Sequence, residues 1–220
     1  MQNAECKVQN YFVALLVLHI ALFHAKGSIM SLILASASPR RKELLGLFRV
    51  PFEIRVADID ETMDFKKPPF DEVARVSGLK AAATPRAADD VVVAADTIVV
   101  CEGKVLGKPR DEADAVAMLR LLSGRDHQVM TGVTVRSGQN SRTFTEVTDI
   151  HFRELTEKEI RAYVASGEPM DKAGSYGIQG GAALFCTRMV GDYYNVMGLP
   201  VCRLGQVLRE MAPDLMGDML

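Results

Sequence analysis

The sequence of 220 residues is short of several features that would assign it quickly. It has four cysteines, Cys6, Cys101, Cys186 and Cys202, with no CxxC spacing and no Cys/His cluster. Neither a zinc site nor a disulfide framework is indicated, and reduced thiols in a cytoplasmic protein are the simplest reading. It lacks a charge excess: the formal net charge is −2, which argues against a general nucleic-acid binder and for no stable nucleic-acid partner. There is no GxxxxGK[ST] string, which removes P-loop chemistry. No Ser/His/Asp spacing promotes His127 or His151 to catalysis, so both read as structural or surface residues. No internal repeat or low-complexity tract occurs.

The chain also lacks an apolar run long enough to span a bilayer. Tyr11–Phe23 is 13 residues with His19 as its one polar member, whereas a spanning helix needs about 20 apolar residues. Three readings compete for residues 1–29: a dispensable or mis-called start, an ordered accessory helix, and a targeting segment, for which Phe23-His24-Ala25 is a poor cleavage site. No membrane association is expected of the chain from Met30 onward.

What is present is the composition of an ordinary globular chain, 48% hydrophobic and 25% charged. From Met30 onward strands and helices alternate. Leu32–Ala35 reads as a strand, Arg40–Phe48 as a helix opened by Pro39, and Phe52–Val56 as a second strand. Val73, Val76, Leu79 and Ala83 give a helix over Asp71–Ala83 an inward stripe that Lys80 borders. Val91–Ala95 is apolar throughout, as in a strand buried on both faces. Ile98–Cys101 continues that run, and Lys104–Leu106 returns as a hairpin after the Glu102-Gly103 turn. Asp111 caps a helix to Leu122. Gln128–Val135 and Thr143–Phe152 are strands around a polar loop, Ser137–Arg142. Thr156-Glu157-Lys158-Glu159 is a capping box. A glycine-rich stretch, a strand near Leu184–Met189 and a helix Val201–Met211 complete the order. The expected organisation is an extension 1–29, one domain 30–213 and a tail 214–220. The expected fold class is α/β with a mixed sheet.

Five clusters carry possible chemistry. Ser36-Ala37-Ser38-Pro39-Arg40-Arg41 joins a strand end to a helix start, where backbone N–H groups, two hydroxyls and two guanidiniums suit phosphates. Asp58-Ile59-Asp60-Glu61 offers hard oxygen donors to a divalent cation. Asp96-Thr97 follows the buried run, at the carboxyl end of a strand, where α/β sheets present their sites. Lys108 in Gly107-Lys108-Pro109 is a point charge on a stiff turn. The stretch from Gly167 to Gly180 allows close backbone approach, and Gln179 offers both donor and acceptor to a base edge. Taken alone, the five also fit, in turn, a capped helix, an acidic surface loop, a strand-end turn, an exposed lysine and a plain loop.

In order, Leu34-Ala35-Ser36-Ala37-Ser38-Pro39-Arg40-Arg41, Asp60-Glu61, Ala95-Asp96-Thr97, Leu106-Gly107-Lys108-Pro109, Leu122-Ser123-Gly124, Asp171-Lys172-Ala173-Gly174 through Gln179-Gly180, and Asn195-Val196-Met197-Gly198-Leu199-Pro200 resemble the Maf family of nucleoside triphosphate pyrophosphatases. The resemblance implies an inosine-triphosphatase-like fold with a central mixed sheet flanked by helices and an active-site cleft. It implies hydrolysis of a nucleoside triphosphate to monophosphate and pyrophosphate with Mg²⁺ or Mn²⁺, in nucleotide-pool house-cleaning. Asp96 would be the proton acceptor, Glu61 and Asp96 the metal or catalytic carboxylates, and Lys80 and Lys108 phosphate ligands beside Ser36, Ser38 and Arg41. Arg40, Thr97 and Gln179 stand at the positions tied to base choice and resemble the dTTP/UTP branch. Two alternatives are another or modified nucleotide such as 7-methyl-GTP, and a nucleotide-binding cell-division regulator. A homodimer is implied by the resemblance alone.

Overall fold

A computed structural model describes residues 30–64 and 66–217. The segment 1–29, with its apolar run and three competing readings, and residues 218–220 of the expected tail lie outside the described residues. Among the described residues, no helix is long and apolar enough to cross a membrane.

Strands β1 (Leu32–Leu34), β2 (Phe52–Ile54), β3 (Val91–Cys101), β4 (Lys104–Leu106), β5 (Asp126–Ser137), β6 (Asn140–Phe152) and β7 (Cys186–Val190) form one sheet in the order β2-β1-β3-β5-β6-β7, with β4 on β3. β1 pairs parallel with β2 and β3, and the other pairs are antiparallel, so the sheet is mixed as expected. The helices are α1 (Pro39–Gly46), α2 (Pro69–Ala83), α3 (Glu112–Leu122), α4 (Glu157–Ala165), α5 (Tyr193–Met197), α6 (Val201–Met211) and α7 (Pro213–Met216). Met216 is buried against the same core as α6, and Leu215 packs beside it.

The alternation of side chains along β3 decides the layers. Val92 and Ala94 face a cluster with Ala81 of α2, and Ile98 and Val100 face one with Val73. Val91, Val93 and Ala95 face the other way, onto α1, α6 and α7. Val99 and Cys101 share that second face but belong to a separate cluster with α3, α4 and Phe152. Thr97 falls between the two clusters, and β5 repeats the pattern: Val133 and Val135 join the first, Val129 the second, and Thr131 lies between.

Three expectations are corrected. Ile98–Cys101 does continue Val91–Ala95 in one strand, but Asp96 therefore lies within that strand and not at its end. On its far side β3 pairs with β5 from Val91 to Val100. On its near side it pairs with β1 only over Val91–Val93 and with β4 only from Val99, leaving a gap around Asp96. The carboxyl end of a strand is indeed beside the site, but the strand is β1. The stripe of α2 is Val73, Val76, Ser77 and Ala81, whereas Leu79 and Ala83 are exposed. Lys80 follows Val76 and Ser77 by four and three residues, so it shares their face rather than bordering it. The polar loop Ser137–Arg142 shrinks to a two-residue turn, because the β5–β6 pairing runs out to Ser137 and Asn140.

His127 is structural. It is 3% exposed, its Nε2 lies 2.9 Å from the Tyr176 hydroxyl, and its ring meets Phe152 edge-on. Burial pushes its pKa down to about 4, below the ordinary 6.5. Between those values the unfolded chain takes up a proton that the folded chain refuses, so stability falls as pH drops from 6.5 and the loss is complete near pH 4. The full effect is on the order of 3 kcal/mol. Melting temperature followed over that window is expected to decline in the native protein, and His127→Gln should flatten that part of the profile.

Candidate active site

The site is built at the gap in the near edge of β3. β1 ends at Leu34, the Ala35 amide bonds the Val93 carbonyl at 2.8 Å, and the chain turns through Ser36 into α1. Ser38 caps α1 by accepting from the Arg41 amide at 3.4 Å, and Pro39 fills its first turn. Ser36 Oγ accepts from the Ser38 amide at 3.2 Å.

Arg41 then reaches back across the sheet. Its Nη1 donates to Ser36 Oγ at 3.2 Å, Nη2 to Thr97 Oγ1 at 2.9 Å and Nε to the Gly198 carbonyl at 2.9 Å. Burial lowers its pKa and Asp96 works in the opposite direction, but a guanidinium stays charged in a protein. Thr131 donates its one hydroxyl proton to the Asn195 carbonyl at 3.0 Å. The 3.0 Å contact between Thr97 and Thr131 must therefore run from Thr97 to Thr131. The result is a directed chain from Arg41 through Thr97 and Thr131 to Asn195. Thr97 keeps one free lone pair and has no proton left for a ligand.

On the opposite face of β3, Lys80 Nζ lies 2.7 Å from Asp96 Oδ1 and 2.7 Å from Glu61 Oε2. Lys80 and Asp96 are shielded, at 12% and 13% side-chain exposure, while Glu61 is at 56%. The loop bearing Glu61 is held by α2. The buried Glu72 accepts from the Asp64 amide at 2.8 Å, and Arg75 donates to the Thr62 carbonyl at 2.8 Å and to Glu72. The Arg75 guanidinium and the Asp64 amide hold the Glu72 carboxyl at about 2. Asp58 and Asp60 are exposed and do not line the cleft, so the acidic run contributes only Glu61. Asp60 instead accepts from the Thr62 amide at 2.9 Å.

Opposite α1, the loop after α4 forms the far wall. Arg40 Nη1 meets Asp171 Oδ2 at 3.3 Å across the mouth. The Gly174 amide bonds the Gly107 carbonyl at 3.0 Å, which pins the turn carrying Lys108. Lys108 is exposed, with no carboxylate at ion-pair distance among the described residues. Ile178 is buried and anchors the wall, and Gln179 beside it is exposed. All ten residues singled out in the sequence line one cleft of about 750 Å³: Ser36, Ser38, Arg40, Arg41, Glu61, Lys80, Asp96, Thr97, Lys108 and Gln179. Sequence reasoning missed Thr131, and it quoted Asn195 within a motif without giving it a role. The signal for Thr131 was a hydroxyl at a core-facing position of a strand, between Val129 and Val133.

Glu61 and Asp96 are two hard, anionic oxygen donors converging on one cation, and that donor set suits Mg²⁺ or Mn²⁺. Among the described residues there is no cluster of three or more His, Cys, Asp or Glu. Mg²⁺ needs no larger cage, since it keeps waters and takes substrate phosphates beside one or two carboxylates.

The chain is similar to known proteins over most of its length. The family model described as Maf-like protein matches residues 31–211. A dTTP/UTP pyrophosphatase of Bacillus cereus is 50% identical over 185 residues, covering 84% of this chain and 97% of its own. One of Bacillus thuringiensis is 51% identical over the same shares. A solved HAM1 protein from Coxiella burnetii aligns with 83% of this chain and 100% of its own at 15% identity, with a TM-score of 0.46.

Arg41→Lys keeps the charge but cannot serve three acceptors in three directions. Each acceptor left without a donor in a shielded site costs about 1–3 kcal/mol. Thermal melting of Arg41→Lys is expected to fall by roughly 5 °C or more. An unchanged melting temperature would show that Arg41 is a point charge rather than a tie between elements.

Proposed function

The chain belongs to the family of Maf-like proteins, and from that membership we propose that it hydrolyses nucleoside triphosphates, dTTP and UTP above all, to the monophosphate and pyrophosphate. The observation that carries the reading is the meeting of Asp96 and Glu61 at Lys80, in a cleft with Arg40 and Lys108 at its rim. A pure anion binder gains nothing from two carboxylates at that point. Cleavage of a phosphoanhydride by water needs a base for the water, cations for the triphosphate and a donor set for a metal.

In this reading Asp96 takes the proton of the attacking water through the carboxylate oxygen that Lys80 does not hold. Lys80, fixed by α2, pairs with Asp96 and lies ready for the phosphate oxygens. Lys108 and Arg40 neutralise the departing pyrophosphate from the open side, and the N-terminus of α1 with Ser36 and Ser38 receives the phosphate chain. Arg41 has two N–H groups left beyond its three ties and adds charge from beneath the turn. Glu61 and Asp96 would hold the divalent cation. Such a cation supplies neutralisation of phosphate charge and a lower pKa for bound water.

Base choice falls to the three positions Arg40, Thr97 and Gln179. Thymine and uracil present an imide N–H between two carbonyl oxygens. The free lone pair of Thr97 and the mixed amide of Gln179 match that pattern of donor and acceptors. A base lacking the N–H leaves an acceptor unpaired in a shielded site, which discriminates strongly.

Product analysis with Mg²⁺ or Mn²⁺ over a nucleotide panel tests the reading. Pyrophosphate is expected from dTTP and UTP, and Asp96→Asn should abolish its release while melting stays cooperative. Orthophosphate as first product, or a folded and active Asp96→Asn, would sink the assignment. Lys108→Ala should reduce turnover by about tenfold or more with a melting temperature within about 1 °C of the parent, as expected for an exposed charge that acts on a ligand.

A further inference from the structure

Glu168 lines the cleft, yet it has no part in the chemistry proposed at phosphorus. It sits one residue past Gly167, which ends α4, and opens a 3₁₀ turn over Glu168–Asp171. Its two carboxylate oxygens are used in different directions. Oε1 accepts from the Tyr163 hydroxyl at 2.9 Å, and Oε2 accepts from the Gly181 amide at 3.0 Å. The Tyr163 hydroxyl in turn accepts from the Gly177 amide at 3.0 Å. One carboxylate therefore holds both ends of the segment Gly177–Gly181, directly at Gly181 and through Tyr163 at Gly177. Gln179 is the middle residue of that segment.

The packing leaves the segment little freedom. A Cβ on Gly180 would lie 2.0 Å from Glu168 Oε1, so the backbone comes up to the carboxylate and a side chain there would push the carboxylate aside. Lys172 Nζ donates to the Glu168 carbonyl at 2.6 Å and pairs with Asp171 at 2.6 Å, which fixes the turn from below. Tyr163 is 7% exposed, and its ring packs edge-on against Phe185 at 5.2 Å between centroids. Burial chiefly, with the Glu168 carboxylate adding to it and the Gly177 amide opposing it, pushes the Tyr163 pKa up, so the phenol remains a donor at neutral pH. Hydrogen bonds to an ionised acceptor are about twice as strong as neutral ones, and here two share one acceptor group.

We propose that Glu168 and Tyr163 are positioning residues for base selectivity: they hold the Gly177–Gly181 segment so that the Gln179 amide meets the base edge in one orientation. This rests on the reading of Gln179 as a base-choosing residue. Neither residue is assigned a contact with the phosphates, so their loss should alter which base is accepted rather than the chemistry at phosphorus. Glu168→Gln can still accept from the Gly181 amide and donate to the Tyr163 hydroxyl, but it loses the charge that strengthens both bonds. Tyr163→Phe releases the Gly177 end alone.

The test uses the full chain and compares kcat/KM for dTTP and UTP with that for CTP and GTP, measured as pyrophosphate release. A ratio of two substrates on one preparation does not depend on how much of it is folded. Gln179→Ala, Glu168→Ala and Tyr163→Phe are each expected to lower the ratio by about fivefold or more, chiefly through KM for the pyrimidine substrates. Glu168→Gln should fall between parent and Glu168→Ala. The double variant Tyr163→Phe with Glu168→Ala should lose no more than Glu168→Ala alone, because the two residues act as one unit. If Glu168→Ala does not fold, Glu168→Gln and Tyr163→Phe carry the same comparison. A lowered ratio in Gln179→Ala with a parental ratio in the Glu168 and Tyr163 variants overturns the positioning proposal alone. A parental ratio in Gln179→Ala overturns the base-reading role and the positioning proposal with it.

Discussion

The near edge of β3 is paired at both ends and bare in the middle, and the site depends on that interruption. β1 is three residues long and stops at Leu34, while β4 joins only at Val99. A continuous neighbour there would cover Asp96 and Thr97 with main chain. Because the edge is open, the turn after β1 can swing into α1 beside it, and a ligand can approach backbone that would otherwise be sealed in a sheet. The far edge, bonded to β5 from Val91 to Val100, holds the strand in the sheet along this whole stretch. The strand is thus rigid and accessible at the same residues, a combination that a site built on a free loop does not have.

Two faces of one strand then divide the work. Asp96 points to the α2 side and meets Lys80, so charge is gathered there. Thr97 points to the other side and enters the hydroxyl chain that ends on Asn195, so there polar groups are satisfied internally. That chain runs between two hydrophobic clusters that share a face of the sheet, and it ties α1, β3, β5 and α5 together. Its stability value comes from giving every hydroxyl proton along its path an acceptor, while the buried Asn195 Oδ1 at its end has no partner among the described residues. Asn195 contributes again by donating from Nδ2 to the Val129 carbonyl at 3.0 Å and to Thr148 at 2.9 Å.

Much of this was legible in the sequence, and the limits have physical causes. The caps at Ser38, Asp111 and Thr156 are local chemistry, and each closes as the residue types require. The Glu102-Gly103 turn has both residues at positive φ, +49° and +74°, as a tight hairpin demands. The residues that resembled one family's motifs do converge on one cleft. What could not be read was lateral pairing. Asp96 looked like a strand end because Asp-Thr resembles a turn, but β5 supplies partners that carry the strand through. Asp58 and Asp60 looked equivalent to Glu61, yet only the clamp made by Glu72 and Arg75 decides which of the three faces inward. Leu79 and Ala83 looked inward, whereas Ser77 takes a place in the stripe, buried against Thr134 at 2.8 Å. Each of these depends on residues distant in sequence, which local pattern does not record.

Gly132 stands directly opposite Asp96 in the register of β5 and β3. A Cβ there would fall 2.4 Å from the Val73 carbonyl, so α2 rests on bare backbone at this point. The height of the helix above the sheet is thereby set by the absence of one methyl group. α2 carries Lys80 and, through Glu72 and Arg75, also governs the approach of Glu61. Any side chain at Gly132 would lift both Lys80 and Glu61 away from Asp96 at once. A side chain at this position would therefore disturb the helix packing and the charge cluster together.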